Sequence, residues 1–84
     1  MSVARDVVEM LARALTDRRD EVRVVESERN STTLLELFVA PGELGRVIGK
    51  QGRTAAALRT LALAAAEKEG RSVTLEIRDA PYRG

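Results

Sequence analysis

The stretch GRVIGKQGRTAAALRTL, residues 45–61, sets two glycines around a lysine and a glutamine, Gly49-Lys50-Gln51-Gly52. Helical patterns lie on both sides. Upstream, Leu44, Val47 and Ile48 stand at i, i+3 and i+4, the spacing of a short helix. Downstream, residues 53–69 read as a longer helix with Gly70 as its C-terminal stop. Glycine in or beside a helix costs about 1 kcal/mol relative to alanine, so two of them here need a reason. One reason is purely structural: Gly49 closes the short helix and Gly52 eases the turn into the long one. The spacing alone decides nothing, because at an average glycine use of about 7% a G-x-x-G arises by chance roughly 0.4 times in a chain this long.

The surroundings are more informative. No acidic residue lies between Glu43 and Glu67, while Arg46, Lys50, Arg53 and Arg59 all fall in that window. The chain as a whole carries a net charge of only +1, so the basic character is local. The glycine loop opens onto the start of the long helix, where backbone N–H groups and the positive end of the helix dipole face outward. Glycines let another backbone approach closely, and Lys50 and Arg53 add cations at the same place. Together these properties describe a cradle for a phosphodiester backbone. They do not describe a nucleoside triphosphate site, which needs G-x-x-x-x-G-K-[ST] after a strand. Gly45 and Gly49 also form a G-x-x-x-G, but no apolar 20-residue segment surrounds them, so a membrane dimer motif is excluded.

Working outward, Val3, Val7, Val8, Leu11, Ala12 and Leu15 recur at helical spacing, with Ser2 as N-cap, and predict a first helix over 3–17. EVRVVES (21–27) reads as a strand with Val22 and Val24 on one face. TLLELFVA (33–40) alternates, Leu35, Leu37 and Val39 facing one way and Leu34, Glu36 and Phe38 the other. The short polar link through Asn30, Ser31 and Thr32 makes these two strands an antiparallel hairpin. SVTLEIRD (72–79) is a third strand, Val73, Leu75 and Ile77 inward, and residues 80–84 form a loosely held tail. The order α-β-β-α-α-β predicts one α+β domain in two layers, a three-stranded sheet covered on one face by three helices.

The sequence VIGKQGRT, preceded by a short helix and followed by a long one, resembles the signature of a KH domain, whose G-x-x-G loop clamps about four nucleotides. The element order resembles the type II form of that fold, and APGELGRVIGKQGRTAAALRTL on a chain spanning little else resembles the small KhpA-like RNA-binding proteins of bacteria. The resemblance covers about residues 3–79 and departs in size at Ala55, where many KH domains carry isoleucine. It implies that Gly49, Lys50, Gln51 and Gly52 hold the sugar-phosphate backbone of single-stranded RNA, with Arg53 and Thr54 flanking them and Arg46 nearby. It further implies that Val47 and Ile48 line an aliphatic groove whose opposite wall is the second strand, and that the protein acts as an RNA chaperone or post-transcriptional regulator. A larger KH-containing partner, KhpB- or Jag-like, is also implied.

Composition narrows the field independently. The chain has no histidine and no cysteine, which removes imidazole triads, thiolate metal sites and disulfides. We expect no enzyme, no cofactor and no metal. Carboxylates such as Asp17, Asp20 and Glu21 sit in a polar turn and read as solvated charge. Modules that stack bases on rings need several aromatics, whereas Phe38 and Tyr82 are the only two here. The N-terminal segment is broken by Arg5, Asp6, Glu9 and Arg13, so we expect no signal peptide or membrane span and place the protein in the cytoplasm. On the long helix Ala55, Leu58, Ala62 and Ala65 form the stripe assigned to the sheet. Ala57, Leu61, Ala64 and the stem of Lys68 form a second stripe, roughly 60–120° round from Leu58, which predicts a homodimer through that helix. The competing reading is a protein-interaction subunit of a larger KH-protein complex in which RNA binding is secondary, and single-stranded DNA remains an alternative ligand.

Overall fold

Ser2 starts the first helix: its hydroxyl accepts the Arg5 N–H at 3.1 Å, the expected N-cap. Helix α1 runs Val3–Leu15, two residues shorter than its pattern. Thr16 turns to extended backbone (φ −104°, ψ 153°) with its N–H on the Ala12 carbonyl, and the next amide, Asp17, bonds to the Glu43 side chain instead of continuing the helix. The buried face of α1 is Ala4, Val8 and Ala12, so Val3 and Leu15, expected inward, are largely outside the core. The computed structural model describes residues 2–79; the expected tail, 80–84 with Tyr82, lies outside the described residues.

A single 3-10 turn, Arg19–Glu21, leads into strand β1 (Arg23–Arg29), which starts and ends two residues later than its pattern. Val22 stands before the ladder, but it and Val24 are both buried as expected. Asn30 takes left-handed backbone (φ 58°), a conformation Asn tolerates better than most residues, and lets the hairpin close in two residues, Arg29 pairing with Thr32. Strand β2 (Thr32–Val39) follows. Its period-2 pattern is realised: Leu35, Leu37 and Val39 are fully buried, and Leu34, Glu36 and Phe38 are half-buried on the opposite face.

After β2 come helix α2 (Leu44–Ile48) and helix α3 (Arg53–Lys68), then strand β3 (Ser72–Asp79). Helix α3 ends with the Gly70 N–H on the Glu67 carbonyl and the Arg71 N–H on the Ala66 carbonyl, each at 3.0 Å, a Schellman motif. The sheet is mixed and ordered β1-β2-β3: β1 pairs antiparallel with β2, and β3 pairs parallel with it, Thr32 to Ser72 through Val39 to Asp79. A parallel pair requires a crossover, and α2 with α3 supplies it.

The helices cover one face of the sheet. Helix α3 contacts α1, α2 and β3, and α1 reaches β1. Ala55, Leu58 and Ala62 are buried as the stripe predicts, but the next turn buries Ala66 and leaves Ala65 half-buried, a one-residue drift of the contact line. Alanines on both helices allow close approach over a floor of Leu35 and Leu37, each contributing about 2 kcal/mol by burial. The fold therefore matches the expected two-layer α+β arrangement and presents the α2–α3 junction at one end of β3.

Candidate nucleic-acid interface

Helix α2 is only five residues long and is tied at its start. Glu43, just before it, is 8% exposed, and its carboxylate accepts the Asp17 N–H at 2.6 Å, the Arg18 N–H at 3.3 Å and Arg46 Nε at 3.0 Å. The Asp17 amide is the chief cause holding the Glu43 carboxyl below its ordinary value of 4.5; burial opposes it, and the Arg18 amide and Arg46 reinforce it. The Arg46 guanidinium also reaches the Asp17 carboxylate at 3.0 Å.

Past Ile48 the chain turns on Gly49 (φ 76°, ψ 171°), whose N–H bonds back to the Gly45 carbonyl at 2.9 Å. Only glycine adopts that backbone region freely. A single 3-10 turn, Lys50–Gly52, follows, with the Gly52 N–H on the Gly49 carbonyl at 3.1 Å and the Arg53 N–H on the Lys50 carbonyl. Gln51 (φ 58°, ψ 24°) and Gly52 (φ 73°, ψ 14°) are both left-handed. For Gln51 that conformation costs about 1–2 kcal/mol, strain of the kind that collects at functional sites.

The Lys50, Gln51 and Arg53 side chains are exposed, and Arg53 donates to Gln51 Oε1 at 3.0 Å. Among the described residues neither Lys50 nor Arg53 takes part in an ion pair. Among the described residues no side chain caps the start of α3, so the positive end of a 16-residue helix faces the loop. Gly49, Lys50, Gln51, Gly52 and Arg53 are thus gathered on one exposed turn. Thr54 is half-buried beneath it and Ile48 is half-buried beside it.

Three expectations change. Val47 is fully buried in the core and offers no surface to a groove; of the pair at i and i+1 the helix turns only Ile48 partly outward. Arg46 is bound to two carboxylates from outside the acid-free window, so the window is less free of acid in space than in sequence. The second strand cannot be the groove's opposite wall, because β2 is central and its inward residues are fully buried; the strand beside α2 is the edge strand β3. Along that edge Arg59 Nε donates to the Leu75 carbonyl at 3.2 Å, and Arg59, Leu63, Val73, Thr74 and Leu75 line a shallow groove of about 260 Å³. A larger hollow of about 480 Å³, lined in part by Ser27, Arg29, Thr32 and Leu34, lies on the helix-free face of the sheet, away from the loop.

Glu43 is the site residue that pattern reading missed. Its only local signal is an acid placed directly before a short helix. On the helical surface Ala57, Leu61 and Ala64 are exposed, Leu61 at 48%, and Met10 (62%) and Val3 (50%) of α1 are exposed too. No helix among the described residues is long and apolar enough to cross a membrane.

A family model described as KhpA/KhpB, KH domain, matches residues 5–77. The chain is 53% identical over 77 residues to the RNA-binding protein KhpA of Aquifex aeolicus, covering 92% of this chain and 98% of that one. It is 49% identical over 75 residues to the RNA-binding protein KhpA of Halalkalibacterium halodurans, covering 89% and 99%. Among solved structures it resembles Era in complex with MgGDPNP and nucleotides 1506–1542 of 16S ribosomal RNA, with a TM-score of 0.64 at 21% identity. That match covers 93% of this chain and 30% of the Era chain, and at such identity the likeness is one of fold.

Proposed function

The chain belongs to the KhpA/KhpB family of KH domains, and from that premise we propose that it binds single-stranded RNA, holding the sugar-phosphate backbone in the Gly49–Gly52 loop. The observation that carries this reading is the exposed Lys50-Gln51 turn on strained backbone, set against a start of α3 that is uncapped, with no carboxylate paired to Lys50 or Arg53, among the described residues. Oriented N–H groups, a helix dipole and two mobile cations attract a phosphate chain without reading its sequence. Ile48 and the β3 edge are the surfaces left to meet bases. With two aromatic residues in the chain, base stacking cannot be the main source of affinity. A module that holds a few unpaired nucleotides acts by keeping them unpaired or by covering them, so we assign it the role of RNA chaperone or post-transcriptional regulator in the cytoplasm.

One KH module grips few nucleotides, and two joined copies gain avidity if one RNA reaches both loops. The exposed Ala57, Leu61 and Ala64 on α3 are the surface we assign to a homodimer. The same surface would serve a larger KH-containing protein, which is the alternative in which assembly is primary and RNA secondary.

Competition between a short unstructured RNA and the same RNA annealed to its complement tests the ligand. We expect clear preference for the single strand, since the loop needs an extended backbone with bases unstacked. Equal affinity for both forms would reduce the interaction to nonspecific charge and end this reading.

A further inference from the structure

Glu43 carries a charge that is almost wholly withdrawn from water, and such a charge persists only when fully matched. Its partners come from two distant places. One oxygen takes the amides of Asp17 and Arg18, where the chain leaves α1, and the other takes Arg46 on the first turn of α2. Arg46 in turn reaches Asp17, closing the circuit between the α1 exit and α2. A five-residue helix has no stability of its own, so α2 lies where its tethers put it. Val47 in the core fixes one side and the Glu43 circuit fixes the start. The far end passes, through the Gly49 N–H on the Gly45 carbonyl, directly into the loop.

We propose that Glu43 is a positioning residue for the Gly49–Gly52 loop, and that Arg46 acts through it and Asp17 rather than as a contact to bound nucleic acid. The inference rests on the RNA reading for its consequence but not for its geometry. Arg46 has two carboxylates to satisfy it, whereas Lys50 and Arg53 have none among the described residues, which separates cations that hold the site from cations that are left for a ligand. Shifting the start of α2 moves Gly45 and, with it, the acceptor on which Gly49 closes.

Amide hydrogen exchange by NMR reads the loop without RNA. In Glu43→Ala, exchange at Gly49 and Gly52 should accelerate about tenfold, with central β2 amides such as Leu37 changing far less. Glu43→Gln, which keeps an oxygen for the Asp17 and Arg18 amides, should recover most of the protection. Equal acceleration everywhere, or none at the loop, overturns the proposal. In the RNA arm Glu43→Ala should weaken binding about fivefold alone and much less beside Lys50→Ala, since both act through one loop. Arg46→Ala should weaken binding yet leave the log–log salt slope unchanged, while Lys50→Ala lowers it by about 0.7. Losses that simply multiply, or a slope change for Arg46→Ala equal to that of Lys50→Ala, would also overturn it. If Glu43→Ala does not fold, Arg46→Ala, which opens the same circuit from its other side, carries the exchange arm: faster exchange at Gly49 and Gly52 is expected, and none there overturns the proposal. An unmutated protein that binds no RNA ends the RNA reading, and the exchange arm then decides this one.

Discussion

A β-carbon placed on Gly49 would lie 2.2 Å from the hydroxyl oxygen of Thr54 and 2.7 Å from its Cβ. The start of α3 is therefore packed directly against the loop it serves. Gly52 meets nothing within 4 Å and is held only by its left-handed backbone. Gly49→Ala should therefore cost about 3 kcal/mol, from a forbidden φ/ψ together with a clash that reaches Thr54's main chain. Gly52→Ala should cost only about 1–2 kcal/mol. Urea unfolding of the two variants checks the order; equal losses would mean that the Thr54 contact relaxes freely.

Replacing both Lys50 and Gln51 with aspartate should abolish RNA binding with the fold intact, since both side chains are exposed. Circular dichroism and an RNA titration at fixed salt read the two halves of that statement. Full affinity in the double variant would remove the loop from the interface.

Leu61→Glu should convert a dimer into a folded monomer in sedimentation equilibrium at micromolar concentration, with binding to long RNAs weakened relative to the unmutated protein. The side chain is 48% exposed, so the charge costs little within one protomer and much in an apolar contact between two. An unmutated protein that is itself monomeric under those conditions refutes the homodimer.

Stability should fall in acid through two carboxylates. Glu43 is held below its ordinary value chiefly by the Asp17 amide. Burial raises the Glu26 carboxyl, but the Ser2 hydroxyl and amide outweigh it and leave it lowered as well. A lowered folded-state value means that the unfolded chain binds protons first. The stabilisation is thus complete above the ordinary value of 4.5 and is lost as pH falls through the lower folded values. Urea midpoints taken between about pH 6 and pH 3 should drop in the unmutated chain and drop less in Glu26→Gln/Glu43→Gln.

Thr16 carries the one buried side-chain polar atom without a hydrogen-bond partner among the described residues. Its backbone is extended, which suits a β-branched residue, and its N–H keeps its bond to Ala12 whatever the side chain. Thr16→Val should raise stability by about 1 kcal/mol in urea unfolding. A loss instead would show that the hydroxyl is satisfied by a bound water.

Much of this was legible in the residues. Leu35, Leu37 and Val39 are inward because a strand alternates, and Gly70 marks the end of α3 because an αL stop follows from local chemistry. The G-x-x-G reading located the exposed turn for the same reason: it depends on neighbours in sequence. Most of the misses involve partners distant in the chain. Asp17 and Glu43 are 26 residues apart, so neither the early end of α1 nor the Asp17 contact of Arg46 has a local pattern, although the Glu43–Arg46 pair spans only three residues. Val47 and Ile48 are equally apolar, and only the packing of α2 decides which one is buried. The parallel pairing that puts β2 in the middle of the sheet likewise joins segments separated by two helices.

That parallel pairing bears on how the protein assembles as it is made. The β1–β2 hairpin needs only two linking residues, so it can pair as soon as Thr32–Val39 has emerged. The loop sits inside the crossover, and α2 and α3 gain their contacts with β3 only when Ser72–Asp79 docks along β2. Contacts of such long range form late. A nascent chain should therefore hold Lys50 and Gln51 on an incompletely packed segment until β3 has been synthesised, and the loop should reach its final geometry only as folding closes.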